Sequence, residues 1–175
     1  VADSASGVVP HRFLGRAFLS TGQYEAALGA LSSSIETYPK DAELFDIIGA
    51  VHMTRAFAKA HYSDTDLALQ SFNRALNLDP RRASTLYNLG LLYSYRDSLQ
   101  QALTYYGLAI DADSTLAPAH KKLGLHYRQS GFKDSALYHL ENAARLAPSD
   151  GETHFHLGLL QRSIGDIKAA EASLN

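Results

Sequence analysis

The chain has 175 residues, of which 16 are Lys or Arg and 18 Asp or Glu, for a formal net charge of -2. Hydrophobic residues make up 46% and charged residues 19%, a composition that excludes a disordered chain. The near-neutral balance argues against a protein that coats nucleic acid, the absence of cysteine excludes disulfide and thiolate chemistry, and no apolar run reaches the ~18 residues of a membrane span.

Two residue series recur along the chain. A Leu–Gly or Ile–Gly pair stands at Gly15, Gly49, Gly90, Gly124 and Gly158, spaced 34, 41, 34 and 34 residues apart. Alanines follow at Ala27, Ala68, Ala102, Ala136 and Ala170, and prolines at Pro39, Pro80 and Pro148. Agreement of independent series on one period marks a repeat architecture. After a tail over 1–7, the repeats run 8–41, 42–82, 83–116, 117–150 and 151–175, the last one truncated.

The first repeat carries His11, Leu14, Gly15 and Phe18, then Gly22, then Ala27 and Leu31. That is one apolar stripe at helical spacing, a glycine break, and a second stripe. The second repeat, with Phe45, Ile48, Gly49 and then Ala68 and Phe72, is seven residues too long. Its glycine-to-alanine interval is 19 residues where the other four are 12, which places an insertion around 54–63. Arg55 to Ala60 is helix-forming sequence, so the expectation is a lengthened first helix ending near His61 and a turn at Ser63–Asp64. The third repeat repeats the pattern with Leu86, Leu89, Gly90 and Ala102. The fourth does so with His120, Leu123, Gly124, Tyr127, Gly131 and Ala136, and the fifth with His154, Leu157, Gly158, Gly165 and Ala170. Each glycine is expected where the two helices of a hairpin cross, facing the alanine, because a larger side chain would push the backbones apart.

This 34-residue unit resembles the tetratricopeptide repeat. The resemblance covers nearly the whole chain and implies an all-α, right-handed superhelical solenoid that binds a protein or extended peptide along its concave side. The chain departs from the family pattern in three ways. The tryptophan usual at the first stripe position is replaced by His11, Phe45, Leu86, His120 and His154; the second repeat carries its insertion; and no capping helix follows Asn175. An uncapped solenoid end exposes apolar surface, so self-association through that end, or service as a segment of a larger solenoid, stands beside peptide binding as a second reading.

The face turned away from each buried stripe would line the groove. Its residues are Arg12 and Arg16 in the first repeat, Tyr87, Asn88, Leu91 and Tyr95 in the third, Lys121, Lys122, Leu125 and Arg128 in the fourth, and Phe155 and Arg162 in the fifth. Arginine and aromatic side chains compose recognition hot spots, and this set suits a partner with acidic and aromatic residues. Phe57, His61 and Tyr62 of the insertion would add aromatics at the rim. The two-carboxylate clamp of co-chaperone members is matched only by Asn88 and Lys122; Asp46, Ala50 and Pro118 stand where its remaining residues belong. No phosphate loop, nucleophile elbow or paired carboxylate points to an enzyme, no His spacing points to a metal, and no cofactor is expected. The compartment stays open between cytoplasm and periplasm.

Overall fold

The computed structural model describes residues 4–59 and 62–174, the side chains of residues 4–9 excepted. Ten α-helices and no strand occur among the described residues. They are α1 (Ser4–Ser20), α2 (Tyr24–Thr37), α3 (Ala42–Lys59), α4 (Tyr62–Leu78), α5 (Ala83–Tyr95), α6 (Leu99–Ala112), α7 (Ala117–Gln129), α8 (Lys133–Leu146), α9 (Gly151–Ser163) and α10 (Ile167–Leu174). Each predicted repeat is a helical pair, and α1 starts at Ser4, inside the segment read as a tail. The chain divides into two compact units at Ala102/Leu103, within α6.

In the first unit α1 pairs with α2 and α3 with α4. Ala27 and Leu31 of α2 meet Leu44, Ile47, Ile48 and Val51 of α3 in one buried cluster. A Cβ on Gly15 would lie 2.7 Å from Leu31 Cδ2, and one on Gly49 would lie 2.5 Å from the Phe72 ring. The second unit repeats this arrangement. A Cβ on Gly124 would lie 2.7 Å from Leu140 Cγ, and one on Gly158 would lie 2.6 Å from Leu174 Cγ. The tight crossing therefore sets these four glycines against the bulky residue four beyond the alanine, one turn along the second helix from the expected contact.

The insertion lengthens both helices of its repeat: α3 has 18 residues and α4 has 17, against 13 in α7 and 14 in α8. The expected end near His61 lies outside the described residues. Ser63 and Asp64 do not form a turn; both belong to the first turn of α4. There the helix dipole favours a carboxylate, and the buried Asp64 takes two hydrogen bonds from Arg55 of α3, Nε to Oδ2 at 2.8 Å and Nη2 to Oδ1 at 2.6 Å. Arg55 also reaches Glu25 of α2 at 2.6 Å. One guanidinium thus ties the extension to both neighbouring helices.

Candidate interaction faces

The first helices α1, α3 and α7 are each joined to the next helical pair by an ion-pair staple. In the first unit Arg12 of α1 binds Asp41, immediately before α3, and Glu43 in its first turn, the latter at 2.9 Å. Asp41 Oδ1 also accepts the backbone N–H of Glu43 and Leu44, so it caps α3 while receiving the arginine. In the second unit Lys121 of α7 binds Asp150, the N-cap of α9, at 2.8 Å and Glu152 at 2.9 Å. The same three repeat positions are used in both cases. Between α3 and α5 they reappear with the charges exchanged: buried Asp46 accepts from Ser84 at 2.9 Å and Thr85 at 2.8 Å, more distantly from Asn88 at 3.4 Å, and pairs with Arg82 at 3.5 Å.

These bonds set the protonation states. The Lys121 ammonium and the Thr153 hydroxyl hold the Asp150 carboxyl down at about 2, and Lys121 lowers Glu152 as well. Lys121 itself is raised, chiefly by its bond to Asp150.

Of the predicted face residues in the first unit, Arg12 and Asn88 are engaged as described, and the more exposed Arg16 pairs with Glu43 at 2.8 Å. Arg12, Arg16 and Arg82 stand against Asp41, Glu43 and Asp46, so that face has balanced charge. Tyr87 and Leu91 are half-buried on α5. The fold brings Tyr95 together with two insertion residues: its ring centroid lies 4.4 Å from that of Phe57 and 5.8 Å from that of Tyr62, which is 67% exposed. His61 falls outside the described residues.

The second unit differs. Lys122, Leu125 and Arg128 are half-buried on α7, while Arg162 is exposed and Phe155 is 51% exposed on α9. Lys122, Arg128 and Arg162 form no ion pair among the described residues. Four cations on this face meet only Asp150 and Glu152. Arg128 Nε and, on the facing helix, His156 Nδ1 are buried without a hydrogen-bond partner. Burial, and then the Arg128 charge, lower the His156 pKa.

Sequence reasoning missed Asp41, Arg82 and Asp150, although each directly precedes a first helix and carries charge opposite to position five of the preceding repeat. It also missed a histidine pair inside the second unit. His120 of α7 and His139 of α8 face each other with Nδ1 atoms 3.0 Å apart. His120 Nε2 lies 3.3 Å from the Ser114 carbonyl, to which it can only donate. Burial lowers the pKa of both rings and keeps them neutral, so His120 Nδ1 is bare and accepts from His139 Nδ1–H. His154 Nε2 meets the Pro148 carbonyl in the same way, six residues back, at 3.1 Å. At the first stripe position of the fourth and fifth repeats, histidine thus serves as an N–H donor to the preceding loop. No group of three His, Asp or Glu able to hold a metal gathers among the described residues, and none of their helices is long and apolar enough to cross a membrane.

Helical pairs of period 34 with a small residue at each crossing define a helical-repeat protein. Three tetratricopeptide repeat family models match residues 14–41, 83–116 and 121–175, and the chain is a tetratricopeptide repeat protein. Among curated proteins it is similar to Protein bimA of Emericella nidulans, 37% identical over 91 residues, a stretch covering 52% of this chain and 11% of bimA. Among solved structures it resembles Pseudomonas aeruginosa pilF, with a TM-score of 0.82 and 20% identity over 97% of this chain and 74% of that one. It also resembles YrrB, described as a TPR protein with an unusual peptide-binding site, with a TM-score of 0.64 and 17% identity over 95% of this chain and 82% of that one.

Proposed function

We propose that the protein is a non-catalytic scaffold that holds a partner polypeptide against the exposed faces of its first helices, and that α7 and α9 contact acidic and aromatic residues of that partner. The observation that carries this reading is the distribution of unpaired charge. Arg12, Arg16 and Lys121 are consumed by carboxylates at the start of the next helical pair, whereas Lys122, Arg128 and Arg162 are not, and Phe155 lies half-exposed on α9. Helices already folded and stapled lose little freedom on binding, so the partner segment bears most of the ordering cost.

The test compares capture of partners from the source lysate by the wild type, by Phe155→Ala/Arg162→Glu, and by Arg16→Glu. Partners should be lost from the α9 variant, retained by Arg16→Glu, and released from the wild type by salt. Equal retention by all three proteins would sink the assignment.

A second reading, self-association, is favoured by Ile164, Ile167 and Leu174, exposed by 42%, 52% and 46% around α10. Leu157, by contrast, is buried and belongs to the core. Light scattering across a concentration series, repeated with Ile164→Lys/Ile167→Lys, separates the two readings. A mass that grows with concentration only in the wild type supports association.

A further inference from the structure

The insertion gathers aromatic rings that the scaffold reading does not use. Phe57 in the last turn of α3 and Tyr62 at the start of α4 both meet Tyr95 at the end of α5, with ring centroids 4.4 Å and 5.8 Å from that of Tyr95. Tyr95 is half-buried, and its hydroxyl donates to the Ala56 carbonyl at 3.4 Å, which ties the cluster to α3. Rings that served only to pack the lengthened hairpin would be buried, but Phe57 and Tyr62 are exposed and offer accessible surface on either side of Tyr95. All three residues belong to the first unit.

The charge around the cluster favours a cation. An aromatic face is the negative part of the ring quadrupole, and α3 and α5 both end here, each with the negative end of its dipole. The nearby cations are already taken. Asp64 and Glu25 hold Arg55, Asp66 holds Arg96 at 2.9 Å, and Lys59 Nζ lies over the Tyr24 ring of α2. Among the described residues no cation stands over Phe57, Tyr62 or Tyr95. Asp97, two residues past Tyr95, is exposed, and its carboxylate has no hydrogen bond or ion pair among the described residues. It holds its place at a φ of +59°, which glycine would adopt without strain. Backbone outliers of this kind cluster at binding sites.

We propose that Phe57, Tyr62 and Tyr95 receive an arginine side chain of a partner polypeptide, its guanidinium laid on the exposed rings and its charge complemented by Asp97. The planar guanidinium is more weakly hydrated than an ammonium and stacks on aromatic faces, which selects arginine over lysine. The chain's own contacts follow the same order: the Arg74 guanidinium carbon comes within 4.4 Å of the Phe45 ring centroid, while Lys59 Nζ stays 5.8 Å from that of Tyr24. The site takes a cation and lies in the first unit, so it stands apart from the acidic-partner reading of α7 and α9.

The probe is acetyl-Gly-Ser-Arg-Ser-Gly-amide with its lysine and citrulline counterparts, each titrated to about 10 mM into the whole chain. NMR at the ring protons of Phe57, Tyr62 and Tyr95 reads the binding. Citrulline keeps the shape of arginine and removes the charge. The arginine peptide should shift all three rings, the lysine peptide should bind several-fold more weakly, and the citrulline peptide should leave the rings unmoved. Tyr62→Leu keeps apolar surface without a ring and should weaken binding about fivefold, whereas Tyr62→Phe should bind as the wild type does. Asp97→Asn should weaken it about twofold. The wild-type titrations depend on no variant folding. Equal shifts from the arginine and citrulline peptides overturn the cation assignment, and lysine binding as tightly as arginine overturns the choice of guanidinium. Rings that no peptide moves overturn the site and leave the α7–α9 reading intact.

Discussion

Asp97 occupies a place that the other described turns within a helical pair give to glycine. Gly22, Gly131 and Gly165 adopt φ of +71°, +80° and +87°, and Asp97 sits at +59°. In each turn the residue closes the preceding helix by a paired bond pattern; here the Asp97 N–H reaches the Ser94 carbonyl at 3.2 Å and the Ser98 N–H reaches Tyr93 at 2.9 Å. A side chain in the left-handed region crowds its own carbonyl, so Asp97→Gly should stabilise the fold by about 0.5–1 kcal/mol, measured as a higher urea midpoint at unchanged slope. The crossing glycines behave in the opposite sense. Gly49→Ala places its methyl 2.5 Å from the Phe72 ring and should cost about 1–3 kcal/mol. Gly29→Ala in α2 meets no atom within 4 Å and should gain about 0.5–1 kcal/mol from helix propensity alone. Both follow from the same denaturation series. The crossing glycines were legible because their 34-residue recurrence has no cause in local propensity. Their contact with Leu31, Phe72, Leu140 and Leu174 was not, because spacing places a residue on a face but fixes no axial offset between two helices.

At the scale of elements, charge does more internal work than the sequence suggested. Arg55 joins α3 to α4 through Asp64 and to α2 through Glu25, with Asp64 almost fully buried. Arg55→Met should cost about 3–5 kcal/mol, because it takes the guanidinium away from a buried carboxylate. Arg55→Met/Asp64→Leu should recover most of that loss, since an apolar pair of similar volume removes the buried charge. A thermal double-mutant cycle measures the coupling, and a double variant as unstable as the single would show that the insertion is held by something else. The predicted turn at Ser63–Asp64 failed for a related reason. Ser and Asp favour both turns and helix N-termini, and only the arginine nine residues earlier decides between them. The same limit governed the groove. Arg12 and Lys121 read as open cations because their acceptors, Asp41 and Asp150, lie 29 residues away, where only stacked repeats bring them close. Phe57, Tyr62 and Tyr95 were each picked out, but their mutual contact appears only once the insertion has lengthened α3 and α4.

Taken over the whole molecule, the titrating groups act in one direction. His52, His120, His139 and His156 all have pKa values lowered chiefly by burial, with His139 brought to about 4. The unfolded chain therefore binds protons first as pH falls below about 6.5, and each of these groups adds stability that is complete above that value and lost through the folded-state pKa. For His139 the window runs from 6.5 down to about 4, and its loss should amount to roughly 1–2 kcal/mol once the partial exposure of the ring is allowed for. Protonation of His120 at Nδ1 also sets two N–H donors against each other across the 3.0 Å contact, and protonation of both rings adds like-charge repulsion. The carboxylates follow lower: Asp150, held at about 2, contributes above its unfolded value near 4 and loses that contribution as pH approaches 2. Acidification should consequently weaken the fold in two stages, histidines before carboxylates. Urea midpoints measured from pH 7.5 to 3 should decline from about pH 6.5, and His139→Phe, which keeps a ring against Tyr127 and removes the titrating nitrogen, should flatten the upper stage while leaving the lower one in place. A variant curve parallel to the wild type between pH 6.5 and 4 would assign the acid sensitivity to the other three histidines.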